Sequence, residues 1–444
     1  MNQKSDNTTD EALGLVSERI AHRGAVLHFL DNPMVDDQAI EYVEDGILVV
    51  ADGHVEGIGN AEDMLAKIPA STPVIEHKNA LITPGFVDCH VHYPQYHVIA
   101  AFGTQLLDWL TTHTFPEEEK FKDIAYASDV AALFLDQLLN NGTTTALVFG
   151  TVHPQSVDAF FSASKERNLR MICGKVMMDR NAPEGLLDTA AESVRDSEEL
   201  IKRWHGRNRL GYAVTPRFAP TSSPDQLKGA AQLLQDHPGV MLHTHLAENR
   251  SECDWVGELF PENRSYLDVY DQMGLLGPTS VFAHAIYLDD KDRQRLAQSD
   301  SSIAHCPTSN LFIGSGLFDM KAAVSAGIKV GLATDVGGGD SYSLLRTINE
   351  SYKIQQLQGY TLDPFQSLYM ATLGGAKAIS LDSHIGNFSV GKEADFNILD
   401  LNATQLIAAR IANCKTLKEK LFVLQMLGDE RVIRQTWIMG KAVA

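Results

Sequence analysis

Paired cysteines, net positive charge and long apolar runs are all missing from this chain of 444 residues. No apolar run approaches the roughly 18 residues needed to cross a bilayer as a helix. The N-terminal stretch MNQKSDNTTDEALG is polar and acidic. It has neither the apolar centre of a secretory signal nor an Arg-rich amphipathic pattern. The cysteines number five (Cys89, Cys173, Cys253, Cys306 and Cys414), widely spaced and without a CxxC pair. That argues against a disulfide framework and against a cysteine-built zinc site, and it fits a reducing cytoplasm. Asp and Glu outnumber Lys and Arg by 57 to 37, a net charge of −20. Such a surface repels phosphates, so nucleic acid and anionic membrane are not expected as partners. A small-molecule partner is unaffected by this argument.

What the chain does have is apolar content, at 44%, enough for a large core. Its length suits one α/β barrel with a smaller domain beside it. Residues 1–78 read as short strands and turns. Gly46 to Gly59 looks like a hairpin turning at Asp52-Gly53. From 79 to 387 apolar strands alternate with amphipathic helical stretches. Eight strands are predicted: Ala80–His92, Thr143–Gly150, Met171–Met178, Leu210–Arg217, Val240–Leu246, Ser280–Ala285, Ser302–Cys306 and Lys329–Thr334. Helices such as Ala125–Leu139 and Asp225–Gln235 carry sound punctuation, Asn140-Asn141-Gly142 as a stop and Ser223-Pro224 as a start. Eight strands alternating with helices predict a (β/α)8 barrel. Its first strand-to-helix connection, roughly 93–122, is long and is expected to carry an active-site loop. Helices over Ser343–Leu357 and Phe365–Ile379 are expected to follow. The tail, 388–444, returns to strands, so both chain ends are expected to form a small β-sandwich.

In such a barrel the chemistry lies at the C-terminal strand ends. There the sequence places His90 and His92, Arg217, His245 with Glu248, His284 and Asp335. His90 and His92 are two apart, so a strand points both imidazoles to one side. Each residue alone has a bland reading, a packed histidine or a capping carboxylate. Their shared position at one end of one barrel does not. Three histidines and an aspartate suit a divalent metal with an open position, zinc or iron. Such a metal lowers the pKa of a water toward about 7. Glu248, just past its strand, can shuttle the proton. His243 and His245 form a second HxH pair, and parity alone does not say which is the ligand.

Several stretches carry a resemblance. Pro84-Gly-Phe-Val-Asp-Cys-His-Val-His92, His245-Leu-Ala-Glu248, Ala283-His284, His305-Cys-Pro-Thr-Ser-Asn310, Ala333-Thr-Asp335 and Gly391-Lys-Glu-Ala-Asp395 resemble the metal-dependent amidohydrolase superfamily. Within it, His92-Tyr-Pro-Gln95, Asp108-Trp-Leu with Thr114-Phe-Pro116, Phe149 to Gln155, Lys175 to Asn181 and Thr215-Pro-Arg-Phe-Ala-Pro-Thr221 are similar to the guanine deaminase family. The resemblance implies hydrolysis of guanine to xanthine and ammonia. It implies one zinc held by His90, His92, His245 and Asp335, which settles the second HxH pair in favour of His245. It implies that Glu248 relays protons with Asp335 and that His284 orients water or substrate. It further implies that Gln95, Arg217 and Phe218 hold the purine, and that the protein is a cytoplasmic homodimer. Phe218 has the alternative of plain core packing. Lys175 near a strand leaves open a carboxylated lysine between two metals. A related aminohydrolase for a nucleoside, pterin or triazine is the nearest alternative. A non-catalytic relative would be expected to lack a ligand, and none is lacking.

Overall fold

A computed structural model describes residues 18–444 apart from residue 104; the polar N-terminal stretch discussed above lies outside the described residues. In chain order come β1 (Arg19–Phe29), β2 (Ile40–Ala51), β3 (His54–Asn60) and β4 (Val74–Pro84). Then follow β5 (Phe86–His92), β6 (Thr143–Phe149), β7 (Arg170–Gly174), β8 (Val176–Met177), β9 (Gly211–Pro216) and β10 (Met241–Leu246). The series ends with β11 (Ser280–His284), β12 (Ser302–His305), β13 (Lys329–Leu332), β14 (Phe396–Asp400), β15 (Ile433–Ile438) and β16 (Lys441–Ala442). Parallel strands in the order β5-β6-β7-β9-β10-β11-β12-β13 make the barrel, with β8 beside β9. The two chain ends share a mixed sheet ordered β16-β15-β14-β4-β1-β2-β3. Asp52 and Gly53 turn the β2–β3 hairpin with φ of 50° and 80°, the left-handed pair that a tight hairpin turn requires.

The stretch predicted as one first strand, Ala80–His92, is two. Ala80 to Pro84 belongs to the end sheet, with Leu81 opposite Leu399 of β14 and Ala25 of β1. The barrel strand starts only at Phe86. Gly85 is the crossing point: a Cβ there would lie 2.1 Å from Thr144 Oγ1, so only glycine lets the chain pass this close to β6. The predicted Met171–Met178 strand likewise breaks at Lys175, beyond Gly174, where a Cβ would lie 1.8 Å from the Ala213 carbonyl.

The helices follow their punctuation. Asp123 caps Ile124–Asn140 by accepting from Ala125 N, and Ser223 caps Pro224–Asp236 by accepting from Gln226 N. The predicted Phe365–Ile379 helix is two, Pro364–Ala371 and Leu373–Ala378, broken at Thr372. The break lays Gly375 against β5, where its carbonyl accepts from Cys89 Sγ and an added Cβ would lie 3.1 Å from Val87 Cβ. The tail carries two helices that the sequence reading missed, Gln405–Ile411 and Leu417–Leu427.

Gly391-Lys-Glu-Ala-Asp395 pins the tail to the barrel. Glu393 accepts from Arg170 Nε at 2.6 Å and from Arg209 Nη2 at 2.8 Å, and Arg209 also pairs with Asp395. Arg209, Glu393 and Asp395 are almost fully enclosed. Removing one member of a buried ion pair strands the others, at a cost of about 3 kcal/mol or more. Arg209→Ala is therefore expected to lower unfolding stability by that amount in a denaturant titration, without changing the metal content of folded protein.

Candidate active site

The barrel's strand ends bring the predicted residues together. β5 delivers His90 and His92, β10 delivers His245, and β11 ends on His284. Asp335 lies just beyond β13. Strands one and eight close the ring through a few bonds rather than a ladder. Asp335 N donates to the His90 carbonyl and His92 N to the Val336 carbonyl, both at 2.9 Å. Below them buried Asp88 accepts from Thr334 N (3.1 Å), Thr334 Oγ1 and His90 N (3.2 Å). Ala247, His284 and Asp335 hold left-handed φ values of 47°, 69° and 50°. Such backbone is costly for residues with a Cβ and collects at functional sites.

The side-chain atoms converge. His90 Nε2 lies 3.1 Å from Asp335 Oδ1 and 3.2 Å from His92 Nε2. His92 Nε2 lies 3.4 Å from Asp335 Oδ1 and 3.3 Å from His245 Nε2. Ligands about 2.0–2.1 Å from a tetrahedral metal stand roughly 3.3 Å apart, so this donor set fits one divalent cation. His90, His245, His284 and Asp335 also share a 4.8 Å neighbourhood. His284 Nε2 is 3.6 Å from Asp335 Oδ2 and 3.4 Å from Glu248 Oε2. His92 Nε2 makes the shorter contacts to His90, His245 and Asp335 Oδ1, and His284 Nε2 faces Asp335 Oδ2 and Glu248.

Hydrogen bonds fix which nitrogen faces the centre. His245 Nδ1 is 2.7 Å from the Arg217 carbonyl; a carbonyl only accepts, so Nδ1 carries the hydrogen and Nε2 keeps its lone pair. His284 Nδ1 donates to Asn310 Oδ1 at 2.8 Å, which turns Nε2 toward the centre. His243 does not face the centre: its Nε2 backs His90 Nδ1 at 2.7 Å. Lys175 Nζ is bound to Asp188 and to the Val176 carbonyl. It stands outside the cluster, which leaves no bridging role for it.

Burial keeps the imidazoles neutral: it pushes His92 down to about 3 and lowers His90 and His245 as well. Neutral imidazoles are competent ligands. Burial alone would raise the Asp335 carboxyl, but the facing His90, His92 and His284 outweigh it and hold it well below the usual range. Glu248 goes the other way. Burial, reinforced by the Asp335 charge, pushes it up to about 8. A carboxyl biased toward its charged form and one biased toward taking up a proton suit a charge-bearing ligand and a proton carrier.

A pocket opens onto this centre, lined among others by Gln95, Arg217, Phe218, His245, Glu248 and Asp335. Every residue predicted for the substrate is in its wall. Trp109, Leu106 and Leu110, from the long first connection, cover it. Sequence reasoning missed two supporting residues. Ser315 Oγ donates to Glu248 Oε1 at 2.8 Å, and buried Glu118 accepts from Arg217 Nη1 at 2.8 and 3.0 Å. Ser315 stands in a Gly-Ser-Gly loop and Glu118 in an acidic triplet; neither setting distinguishes a buried polar group from a solvated one.

Residues 81–443 match the amidohydrolase family. Guanine deaminase of Escherichia coli (strain K12) is 52% identical over 418 residues, 94% of this chain and 95% of that protein. The solved structure of E. coli guanine deaminase superposes with a TM-score of 0.93 at 51% identity, covering 96% of this chain and 99% of that one. A crystal structure of guanine deaminase from C. acetobutylicum with bound guanine in the active site gives a TM-score of 0.87 at 29% identity, covering 96% and 100%.

Proposed function

The chain belongs to the amidohydrolase family and stands among its guanine deaminases; from that premise we propose that it hydrolyses guanine to xanthine and ammonia on a single zinc. His90, His92, His245 and Asp335 would hold the metal. The observation that carries this reading is the chain of 3.1–3.4 Å contacts linking the His90, His92, His245 and Asp335 donor atoms beside the pocket. When bound, the metal acidifies a water at neutral pH.

The chain's own residues do the rest. Ser315 occupies Glu248 Oε1, so Oε2 is the atom free to take a proton from the attacking water and return it to a ring nitrogen. The nucleobase deaminases use a non-ligand Glu in the same way. Asp335 stays ionised and pairs with that relay. His284 Nε2 orients the water or the ring. The water oxygen bonds to the carbon that bears the amino group; the proton still on that oxygen then passes to the amino group, the C–N bond breaks to release ammonia, and the oxygen remains as the new carbonyl of xanthine. Gln95 and Arg217 donate to the base, and Phe218 offers a flat apolar face for the ring. Leu106, Trp109 and Leu110 exclude bulk water.

The protein is read as a homodimer of the cytoplasm. Family likeness supports the first part. The free state of all five cysteines agrees with the second, and among the described residues no helix is long and apolar enough to cross a membrane. The test is ammonia release from guanine, adenosine, a pterin and an aminotriazine, with metal quantified in the same preparation. Guanine is expected to be the preferred substrate with about one zinc per chain. Release from a nucleoside or triazine but not from guanine would defeat the assignment.

A further inference from the structure

We propose that Glu118 is a positioning residue that sets purine selectivity, by locking Arg217 and Gln95 as hydrogen-bond donors to the pocket; this rests on the guanine reading above. Glu118 is fully buried but is not part of the pocket wall. Both its oxygens accept from Arg217 Nη1, at 3.0 and 2.8 Å, and Oε1 also accepts from Gln95 Nε2 at 3.3 Å. Gln95 Oε1 is taken by the Gly337 N–H at 3.1 Å. With its acceptor end on a backbone donor and its amino end on a carboxylate, the Gln95 amide is fixed in one sense. Its second N–H is what remains for a ligand.

Arg217 is held the same way. Its guanidinium carbon lies 5.3 Å from the Phe115 ring centre, and Nη1 is engaged by Glu118. The remaining N–H groups are donors, and a guanidinium has no acceptor. The wall formed by Gln95 and Arg217 therefore offers donors alone. An oxo group at C6 with N7 beside it presents two acceptors, whereas an amino group at C6 presents a donor. Glu118 turns a flexible pair of side chains into a reader of that difference. It does so from the same 106–122 segment that covers the pocket.

The test compares guanine with 2-aminopurine, which keeps the 2-amino group but has hydrogen at C6. Glu118→Gln is isosteric and leaves Arg217 without its counter-charge. KM for guanine is expected to rise about 10²-fold with kcat changed only a few-fold, the pattern of lost uniform binding. For 2-aminopurine kcat/KM is expected to fall clearly less, by about 10-fold or under, because only the N7 acceptor and none at C6 is there to be lost. Glu118→Asp keeps the charge and is expected to recover much of the guanine KM. Metal content and the unfolding midpoint of each variant confirm that it is folded. An equal loss on both substrates, a loss confined to kcat, or an Asp variant no better than the Gln variant would overturn the proposal. Wild-type protein with full metal that releases no ammonia from guanine would defeat the functional reading itself, a separate and visible outcome.

Discussion

Glu248→Gln is expected to leave the metal in place and to lower turnover by about 10²–10⁴-fold, the range for lost general acid–base catalysis. The substitution is nearly isosteric. Its amide oxygen can still accept from Ser315 Oγ, which now stands 2.8 Å from Glu248 Oε1. None of the four close-set donor atoms belongs to Glu248, so metal affinity is not at stake. What is lost is the capacity to carry a proton between water and ring. Steady-state ammonia release and elemental analysis of the same sample decide the matter. Near-wild-type turnover would remove Glu248 from the mechanism.

His90→Ala is expected to lose metal and activity together. His90 Nε2 contacts both Asp335 Oδ1 and His92 Nε2 within 3.2 Å, so its removal opens a whole side of the donor set. Changes to groups that merely support a ligand already cost about 10–100-fold in metal affinity, and loss of a ligand is expected to exceed that. The variant also leaves the His243 Nε2 partner at 2.7 Å without its imidazole, which adds an uncompensated buried polar group. Retention of a full equivalent of metal by His90→Ala would contradict its place as a ligand. Asp335→Ala is expected to behave alike.

The strand ends were legible because their message is periodic. His90 and His92 share a face by the two-residue repeat, and His245, His284 and Asp335 stand at or close to the ends of otherwise apolar strands. Gly85 shows where that reading stops. The Ala80–Ile82 run is apolar because β4 is buried in the end sheet, and nothing in an apolar run says which sheet buries it. The close passage over Thr144 that separates β4 from β5 is a three-dimensional fact. The 365–379 helix failed for a related reason: Thr372 breaks it so that Gly375 can rest on β5. Periodicity reports a helix face but not the clearance beneath it. Glu118 is the sharpest case. Flanked by Glu117 and Glu119, it has the look of a solvated charge run, and only its bonds to Arg217 and Gln95 reveal it as buried. His243 and His245 could not be ranked by parity, and hydrogen-bond direction now separates them.

The seam between strands one and eight adds one more implication. The backbone bonds that shut the ring, from Asp335 N to His90 O and from His92 N to Val336 O, come from the very residues that present the metal donors. Any change in those residues would loosen the scaffold as well as the chemistry. The 106–122 segment that grips Arg217 crosses no such seam. New substrate preferences in this architecture should therefore arise by exchanging that excursion while the hydrolytic floor is inherited unchanged.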